Sequence, residues 1–210
     1  MDFLEIKKDL LLKKKVLLDT EKILKLSKGR KFCGYLEQSG IDYELCIKHK
    51  ESLGCDDSKE YYKRFSQYIK DDYVICKNLL VHERKGEKRS YLLITDCDKK
   101  VDLTALKNTL GCSKFEFADY SEMKSLISSE PGNVSLFSMI YDKDRKVELI
   151  IDEDLLSKNL LAFHPLYNGM SVFLKPKECF KFLKLIKRNV VIVQFPTKDN
   201  EEKIQKCLVK

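Results

Sequence analysis

Short runs of β-branched and large apolar residues constrain the fold of this chain more than any other feature. Each run has the length and composition of a strand and ends at polar, glycine or proline residues. The predicted strands cover residues 41–48, 73–82, 90–95, 134–141, 147–151, 171–174 and 190–195. Helical patterns lie between them without the strict alternation of a parallel α/β fold. The sequence therefore predicts an α+β domain with a mixed, mostly antiparallel sheet flanked by helices.

Helix-forming segments separate the predicted strands. Asp102 and Ser121 are residue types that cap helix N-termini, and Pro176 suits the first turn of the last helix. The polar stretch 142–146 is predicted to join its two neighbouring strands as a hairpin would. The predicted helices cover residues 31–39, 59–70, 102–110, 121–128, 152–156 and 177–187.

The two ends of the chain differ from its middle. In residues 1–28, Phe3, Leu10, Leu17 and Leu24 recur every seven positions, which predicts an amphipathic helix with lysines on its other face. That helix either packs on the domain with a solvated lysine face or docks RNA or a partner. We predict three parts: this extension, a domain over residues 29–196, and a charged tail over residues 197–210.

Composition narrows the class of protein. Apolar residues make up 43% and charged residues 35%, which is typical of a globular chain rather than a disordered one. No apolar run approaches the roughly 20 residues that span a bilayer, and Asp2, Glu5 and Asp9 interrupt any secretory signal. We predict a cytoplasmic location. The net charge of +7 fits a polyanionic partner such as RNA, although charge alone is a weak indication.

The eight cysteines do not form a recognisable metal motif. No two of them lie in a Cys-x-x-Cys pair, the spacing that structural zinc sites usually show. Several have apolar neighbours, as Cys46 and Cys76 do. We interpret the cysteines as reduced side chains that behave as small hydrophobes, and we predict no metal site.

Three segments join polar residues to apolar strands and are the candidate site. In residues 76–80, a lysine and an asparagine interrupt an apolar strand, where burial costs free energy unless they are paired or face a ligand. In residues 130–135, a Pro-Gly turn leads towards a strand, and its glycine could leave backbone N–H groups free for an oxyanion. Residues 162–168 place one histidine among apolar neighbours. Each segment alone is more typical of ordinary structure than of a functional site.

Together the three segments resemble the YbaK/ProX family of aminoacyl-tRNA deacylases, which is similar to the editing insertion of bacterial prolyl-tRNA synthetases. The resemblance covers roughly residues 31–195. In chain order it rests on Lys77-Asn78-Leu79, Tyr91-Leu92-Leu93-Ile94, Asp102-Leu103, Leu110-Gly111, Glu130-Pro131-Gly132-Asn133-Val134-Ser135, and Phe163-His164-Pro165 followed by Asn168.

The resemblance implies a YbaK-like editing fold and the hydrolysis of amino acids wrongly attached to proline tRNA, with alanine favoured over cysteine. It implies no cofactor and no metal. The implied partners are the acceptor end of tRNA(Pro) and prolyl-tRNA synthetase, in cis or in trans, and no membrane. The implied catalytic residues are Lys77, Gly132 and His164. The implied substrate-binding residues are Asn78, Asn133, Val134, Ser135, Phe163, Pro165 and Asn168.

Such an enzyme has a clear physical purpose. A pocket that accepts proline cannot strongly exclude a smaller side chain, because each missing methylene costs only about 1–3 kcal/mol. The ester is already activated, so positioning and oxyanion stabilisation suffice without a protein nucleophile. Cys76 with His164 as base is conceivable, but Cys76 is expected on the opposite strand face from Lys77.

The sequence departs from the family pattern in the glycine loop. Leu136 stands where proline is usual, Ser138 where glycine or alanine is common, and Gly169 where a threonine-like residue is common. These departures keep an alternative open, a non-catalytic tRNA-binding appendage of a prolyl-tRNA synthetase. Such a module would keep the basic surface and lose the chemistry.

Overall fold

The computed structural model describes residues 29–52, 54–69 and 72–198. The predicted helical extension over residues 1–28 lies outside the described residues, as does the predicted tail apart from its first two residues. The α-helices of the described part are α1 (Arg30–Gln38), α2 (Cys55–Lys63), α3 (Leu103–Leu110), α4 (Tyr120–Ile127) and α5 (Pro176–Leu185). Its strands are β1 (Leu45–Lys48), β2 (Tyr73–Glu83), β3 (Ser90–Asp96), β4 (Phe115–Phe117), β5 (Val147–Asp152), β6 (Leu160–Phe163), β7 (Met170–Leu174) and β8 (Val191–Val193).

The strands form one mixed sheet in the order β1-β7-β6-β2-β3-β5-β8, with β4 also paired to β2. The pairs β1–β7, β6–β7, β2–β3 and β2–β4 are antiparallel, whereas β2–β6, β3–β5 and β5–β8 are parallel. The predicted α+β class and mixed sheet are therefore confirmed. No helix of the described residues is both long enough and apolar enough to cross a membrane.

Strand β2 is the feature that creates the site. One edge pairs with β3 over residues 76–82, and Cys97 continues this contact by donating to the Ile75 carbonyl at 2.9 Å. The other edge pairs with β6 at Tyr73–Ile75 and with β4 at Val81–Glu83. Between these two partners, the described part of the chain supplies no strand for that edge. The sheet therefore splits there, and the split opens a cavity.

Helix α2 packs beside this split through an aromatic cluster. Tyr62 is 1% exposed, and its ring lies 5.0 Å from that of Phe173 in β7. Ile75 of β2 belongs to the same buried cluster. This packing fixes the first turn of α2, which begins at Cys55, near the open edge of β2. Asp56 and Asp57 in that turn favour a helix start through the helix dipole.

Two sequence predictions around residue 138 are wrong. Residues 134–141 do not form a strand; they contain a 3-10 helix over Leu136–Ile140. Ser135 and Ser138 cap it reciprocally, because the Ser135 hydroxyl accepts from Phe137 N–H at 3.4 Å and the Ser138 hydroxyl accepts from Ser135 N–H at 3.1 Å. With no strand before it, the polar stretch 142–146 is not a hairpin. Side-chain capping overrode the β propensity of the segment.

Other boundaries moved for identifiable reasons. Asp102 caps α3 as predicted, accepting from Thr104 N–H at 2.8 Å. Helix α4 is capped by Asp119 rather than Ser121, since Asp119 and Glu122 form a capping box. Residues 152–156 were predicted as a helix, and a 3-10 helix occupies Glu153–Ser157. The short strands β4 and β6 were not predicted.

Candidate functional site

A cavity of about 270 Å³ opens at the split edge of β2. Strand β2 forms its floor, and three other parts of the chain surround it. We define the helix wall as Ser52, Gly54, Cys55 and Ser58, and the loop wall as Pro131, Gly132 and Val134. The remaining lining residues are Ile75, Cys76, Lys77, Asn78, Leu79, Leu80, Phe117, Met123 and His164.

Lys77 is the cationic residue of the cavity lining. It is half-buried on β2, opposite Thr95 of β3. Its ammonium donates to the backbone carbonyls of Lys99 at 3.0 Å and Cys97 at 3.4 Å. An ammonium has three N–H donors, so two carbonyls hold this group in place while one donor remains for a ligand.

The loop wall begins with a tight turn. Asn133 N–H donates to the Glu130 carbonyl at 2.9 Å, and Gly132 has a φ of +81°. This is the pattern of a type II turn with Pro131 and Gly132 at its centre. A Cβ on Gly132 would lie 3.0 Å from Asn168 Nδ2. Both the backbone conformation and the close approach therefore favour glycine.

Hydrogen bonds occupy several N–H groups of this loop. Besides Asn133, Ser135 donates to the Ser138 hydroxyl at 3.1 Å, and Leu136 donates to Asn78 Oδ1 at 3.1 Å. Within the loop wall, as the structure describes it, the donors left for a ligand are therefore the N–H groups of Gly132 and Val134. Ser138, where the family commonly has glycine or alanine, therefore removes one donor from the loop, because its hydroxyl accepts the hydrogen bond of Ser135 N–H.

Amide side chains hold the loop wall against its neighbours. Asn78 also donates to the Cys76 carbonyl at 3.0 Å, so both ends of its amide bind backbone. Asn133 Oδ1 accepts from Asn168 N–H at 2.8 Å. Asn168 Nδ2 in turn donates to the Ser52 carbonyl at 3.3 Å, and Ser52 N–H donates to the Asn168 carbonyl at 3.2 Å. Asn168 thus links the loop wall to the helix wall.

His164 follows β6 and reaches the cavity with a defined tautomer. Its Nδ1 lies 2.9 Å from the Met170 carbonyl, which is an acceptor only, so Nδ1 carries the proton. Nε2 is then the acceptor in the neutral ring. Burial lowers the pKa of His164, and the neighbouring His49 lowers it further. The neutral ring with an accepting Nε2 is therefore the form present near pH 7.

A hydrogen-bonded chain lies behind His164, whose Nδ1 is 3.5 Å from Ser171 Oγ. The Tyr62 hydroxyl donates to Ser171 Oγ at 2.5 Å, and Ser171 Oγ lies 2.9 Å from His49 Nε2. His49 Nδ1 lies 2.6 Å from the Lys50 carbonyl. The His49 and His164 rings are 6.1 Å apart. Burial also lowers the pKa of His49, so this ring is neutral as well.

Some predicted site residues lie behind the cavity rather than on its surface. Phe163 is buried in the main core, with its ring 5.8 Å from that of Phe137. Pro165 is buried, and its carbonyl accepts from Gly29 N–H at 2.7 Å. Asn133, Ser135 and Asn168 shape the loop without being lining residues. Lys77, Asn78, Gly132, Val134 and His164 do line the cavity.

The glycine at position 169, where the family commonly has a threonine-like residue, has a steric explanation. A Cβ at this position would lie 2.6 Å from the ring of Tyr167. The threonine-like residue common in the family would collide with that ring. Gly169 and Tyr167 are therefore a matched pair in this chain.

Sequence reasoning missed the helix wall. It placed the helix at 59–70, whereas α2 begins at Cys55. The signal was present in Gly54 followed by Asp56 and Asp57, because acidic residues are enriched in first turns. Ser52 and Ser58 are both buried, and their hydroxyls are 2.8 Å apart.

The cysteines near the cavity differ in their ionisation. The neighbouring Cys97 thiol lowers the pKa of Cys55 to about 7, and the ammonium groups of Lys77 and Lys59 add to this effect. The Cys55 thiol in turn raises the pKa of Cys97. Burial raises the pKa of Cys76 well above its ordinary value. Cys76 is therefore unsuited to act as a nucleophile, although it lines the same cavity as Lys77.

One group of side chains has the proximity of metal ligands. The ligand atoms of Asp96, Cys97 and Asp98 lie within 4.8 Å of one another. Asp98 is already paired with Lys59, and Asp96 Oδ1 accepts from Asp98 N–H at 2.9 Å. We assign no metal ligands there, and metal-free chemistry stays a prediction.

Comparison with known proteins identifies the family. The model of the aminoacyl-tRNA editing domain matches residues 55–182. The chain belongs to this family. The matched range includes the cavity floor, the loop wall, His164, and Cys55 and Ser58 of the helix wall.

Individual relatives agree with this assignment. The chain is 32% identical over 113 residues to the prolyl-tRNA editing protein ProX of Acetoanaerobium sticklandii, covering 54% of this chain and 68% of that protein. It is 22% identical over 163 residues to prolyl-tRNA synthetase associated domain-containing protein 1 of Danio rerio, covering 77% and 84%. The solved structure of a candidate trans-editing enzyme for prolyl tRNA synthetase has the same fold, with a TM-score of 0.53, 19% identity, and coverage of 86% of this chain and all (100%) of that one.

Proposed function

We propose that this protein is an aminoacyl-tRNA deacylase that hydrolyses mischarged tRNA(Pro), with alanyl-tRNA(Pro) as its main substrate. The observation that carries the proposal is the convergence of a fixed ammonium, free loop N–H groups and a neutral histidine on one cavity of an editing domain. The prolyl-tRNA relatives support the identity of the tRNA. We further propose that residues 29–196 are the editing domain and that residues 1–28 and 197–210 are additions to it.

The loop wall supplies the oxyanion donors in this mechanism. Hydrolysis places negative charge on the carbonyl oxygen of the ester as water attacks its carbon. Preorganised backbone N–H groups stabilise that charge without reorganising during the reaction. Gly132 and Val134 fill this role, because Ser138 occupies the Ser135 donor. Asn78 acts indirectly by holding the loop at Leu136.

Lys77 positions the ester. Two backbone carbonyls fix its ammonium, and the remaining donor binds a phosphate or hydroxyl oxygen at the acceptor end. A fixed cation suits this task because it loses little conformational freedom when the substrate binds. The half-buried position strengthens the interaction, since the local dielectric is lower than that of water.

His164 orients the nucleophile. Its neutral Nε2 accepts a hydrogen bond from the attacking water or from the free hydroxyl of the terminal ribose. A neutral imidazole can also take a proton from the water as it attacks. The reaction then needs no protein nucleophile, and the ribose oxygen leaves with a proton.

Phe117 is suited to the terminal adenine. It lines the cavity, yet 61% of its surface is exposed, which is unusual for a phenylalanine. Base–aromatic stacking contributes roughly 1–3 kcal/mol per base. An exposed ring at the cavity mouth can therefore hold the terminal base while the ester enters.

The lining favours a small apolar side chain on the substrate. Leu80, Met123 and Val134 surround the cavity with aliphatic groups. The helix-wall serines already bond to each other and to the Gly54 carbonyl, at 2.7 Å for Ser52. A substrate hydroxyl would therefore find few free partners, which favours alanine over serine or threonine.

The proposed partners are the acceptor end of tRNA(Pro) and prolyl-tRNA synthetase, in cis or in trans. The net charge of +7 favours the approach of an RNA. We propose a metal-independent reaction without a cofactor, in the cytoplasm.

The test compares alanyl-, cysteinyl- and prolyl-tRNA(Pro) as substrates for the purified protein, with and without a chelator. We expect loss of the alanyl ester, little loss of the prolyl ester and no effect of the chelator. Phe117→Ala should raise KM, whereas the matched exposed aromatic change Tyr120→Ala should not. No hydrolysis with intact tRNA binding would instead establish the non-catalytic binding module. Loss of activity with the chelator would refute metal independence.

A further inference from the structure

Two cysteines meet at the rim of the cavity, behind Lys77. Cys55 is the first residue of α2 and lines the cavity. Cys97 follows β3 and lies beside Cys55, close enough for each thiol to shift the pKa of the other. Further contacts hold the two segments together, because Lys59 of α2 pairs with Asp98, and Lys77 donates to the Cys97 carbonyl at 3.4 Å. The proximity of the thiols is therefore built into the fold.

The surroundings of Cys55 favour a thiolate. The residue lies at a helix N-terminus, where backbone N–H groups favour negative charge. The ammonium groups of Lys59 and Lys77 act in the same direction. The pKa of Cys55 is about 7, so a large share of this thiol is ionised at neutral pH. Cys55 and Cys97 are both half-buried and accessible to small molecules.

A second close pair shows what is special about this one. Cys33 and Cys46 have their sulfurs 3.3 Å apart, but both are buried in the main core. The contact with Cys46 is the larger cause, and burial the second, of a raised pKa for Cys33. No cation lowers the pKa of this thiol, and solvent does not reach it. Proximity alone is present at both pairs, whereas access and positive charge are present only at Cys55 and Cys97 among the close pairs of the described residues.

We propose that Cys55 and Cys97 are an oxidisable pair that forms a disulfide with peroxides and thereby switches off the adjoining cavity. A reactive, accessible thiolate next to a second cysteine is the arrangement of redox-sensing proteins. The activity that would be switched off is the deacylation proposed above, and this part of the inference rests on that proposed function.

One peroxide molecule is the oxidant for the formation of the disulfide. The Cys55 thiolate attacks the O–O bond and becomes a sulfenic acid, and the departing oxygen leaves as water or an alcohol after taking a proton. The Cys97 thiol then attacks the sulfenic sulfur and expels water. Two thiols are oxidised by two electrons, and the peroxide is reduced by the same two.

Disulfide formation affects the cavity in two ways. The disulfide brings the two sulfurs to a bond of about 2.05 Å, which draws the first turn of α2 towards the turn that holds Lys77. The thiolate charge near Lys77 is also lost. The helix wall therefore closes on the floor of the cavity, and we expect slower hydrolysis.

The experiment treats the full-length protein with hydrogen peroxide and maps its disulfides by mass spectrometry of unreduced peptides. The variants are Cys55→Ser, Cys97→Ser and the control Cys112→Ser, which removes another half-buried thiol, away from the cavity. Dimedone traps sulfenic acids in parallel. Activity before and after treatment is measured on alanyl-tRNA(Pro), with dithiothreitol added last.

We expect a peptide that joins Cys55 to Cys97 in the wild type and in Cys112→Ser. We expect dimedone on Cys55 in Cys97→Ser. Hydrolysis should fall at least about fivefold on oxidation and recover with dithiothreitol, since displacements of about 1 Å are costly at such sites. The absence of the joined peptide, or oxidation of Cys112 to the same extent as Cys55, would overturn the proposal. A joined peptide without an activity change would overturn the switch. Because mapping needs no activity, an inactive reduced protein would refute only the proposed function.

Discussion

The two walls of the cavity are built from different kinds of interaction. In the loop wall, neutral amides and hydroxyls fix the backbone, through Asn78 at Leu136, Asn133 at Asn168, and Ser138 at Ser135. In the helix wall, a titrating thiol stands at the start of a helix that Lys59 ties to Asp98. The loop wall therefore keeps one geometry across pH, whereas the helix wall can respond to its surroundings.

This difference separates two tasks that one cavity must perform. Oxyanion donors must be held in place before the reaction, and neutral hydrogen bonds to backbone do this without introducing charge. Sensing requires a group whose state changes near neutral pH, which the loop wall lacks. Lys77 connects the two tasks. It positions the ester, and its ammonium is held by the carbonyls of Cys97 and Lys99, on the turn that carries the partner of Cys55.

The largest expected effect is that of Lys77→Ala. Removing the fixed cation between the walls should lower kcat/KM for alanyl-tRNA(Pro) by about 10²–10³, the range found for single electrostatic groups in active sites. Deacylation kinetics give the ratio, and circular dichroism checks the fold. Lys107→Ala on α3 is the control, since the ammonium of this half-buried lysine bonds only Asn108 Oδ1 among the described residues. Equal effects of the two variants would sink the role of Lys77.

The next prediction compares Gly132→Ala with Gly86→Ala, to separate the role of the loop wall from the backbone strain that any alanine has at such a position. Gly132 and Gly86 share a φ of +81°, but a Cβ meets Asn168 only at Gly132. Both alanine variants should lose roughly 1–2 kcal/mol of unfolding free energy from the left-handed backbone. Only Gly132→Ala should also lower hydrolysis, by about 10-fold or more through displaced donors. Denaturant melts and deacylation rates on the two proteins decide this, and matching activity losses would contradict a loop-wall role.

The pH dependence tests whether His164 or the helix wall titrates. Burial lowers the pKa of His164 below its ordinary value of 6.5. Nε2 is therefore unprotonated and able to accept a hydrogen bond above pH 6.5, and it becomes protonated as the pH falls through the lowered pKa. We expect kcat/KM to fall on the acid side. Stability should fall in the same window, because the unfolded state binds the proton more readily than the folded one.

Cys55→Ser is the control for this profile. It should remove any inflection near pH 7 and leave the acid limb from His164 in place, as measured by kcat/KM between about pH 5 and about pH 8. If the acid limb disappears in Cys55→Ser, the titrating group is in the helix wall and not His164.

The smallest effect compares two buried serines, Ser138 beside the loop wall and Ser58 in the helix wall. Ser138→Ala and Ser58→Ala each remove a buried hydroxyl and should cost about 1 kcal/mol of stability. Ser138→Ala also frees the Ser135 N–H next to the loop wall, so the hydrolysis rate or amino-acid preference of this variant should change. Ser58→Ala should leave both within about twofold. Thermal melts and the three-ester assay measure the difference, and identical behaviour would erase the distinction between the walls.

Sequence reasoning found the residues whose types are unusual for their setting. Lys77 and Asn78 interrupt an apolar strand, Gly132 follows a proline, and His164 stands among apolar residues, so each was visible without a structure. The helix wall was not, because Ser52 and Cys55 are unremarkable residue types in a polar segment. Their place in the cavity depends on Tyr62 packing against Phe173, which is a tertiary contact that periodicity does not reveal.

The fold was predictable in class but not in its split sheet. Long strands such as β2 and β3 have clear patterns, whereas β4 and β6 are short and take their form from their partners. The segment after Ser135 has strand-like residues, yet local capping by Ser138 makes it helical. The cavity arises where these less predictable elements meet β2.

The open stretch of β2 between β6 and β4 has a further consequence for folding. An unpaired strand edge offers a row of backbone groups to any extended chain, and such edges promote aggregation unless they are covered. In this protein the two walls cover the edge that the substrate must reach. The segment 50–63 therefore protects the native fold as well as shaping the cavity, and chains that lose it should self-associate through β2.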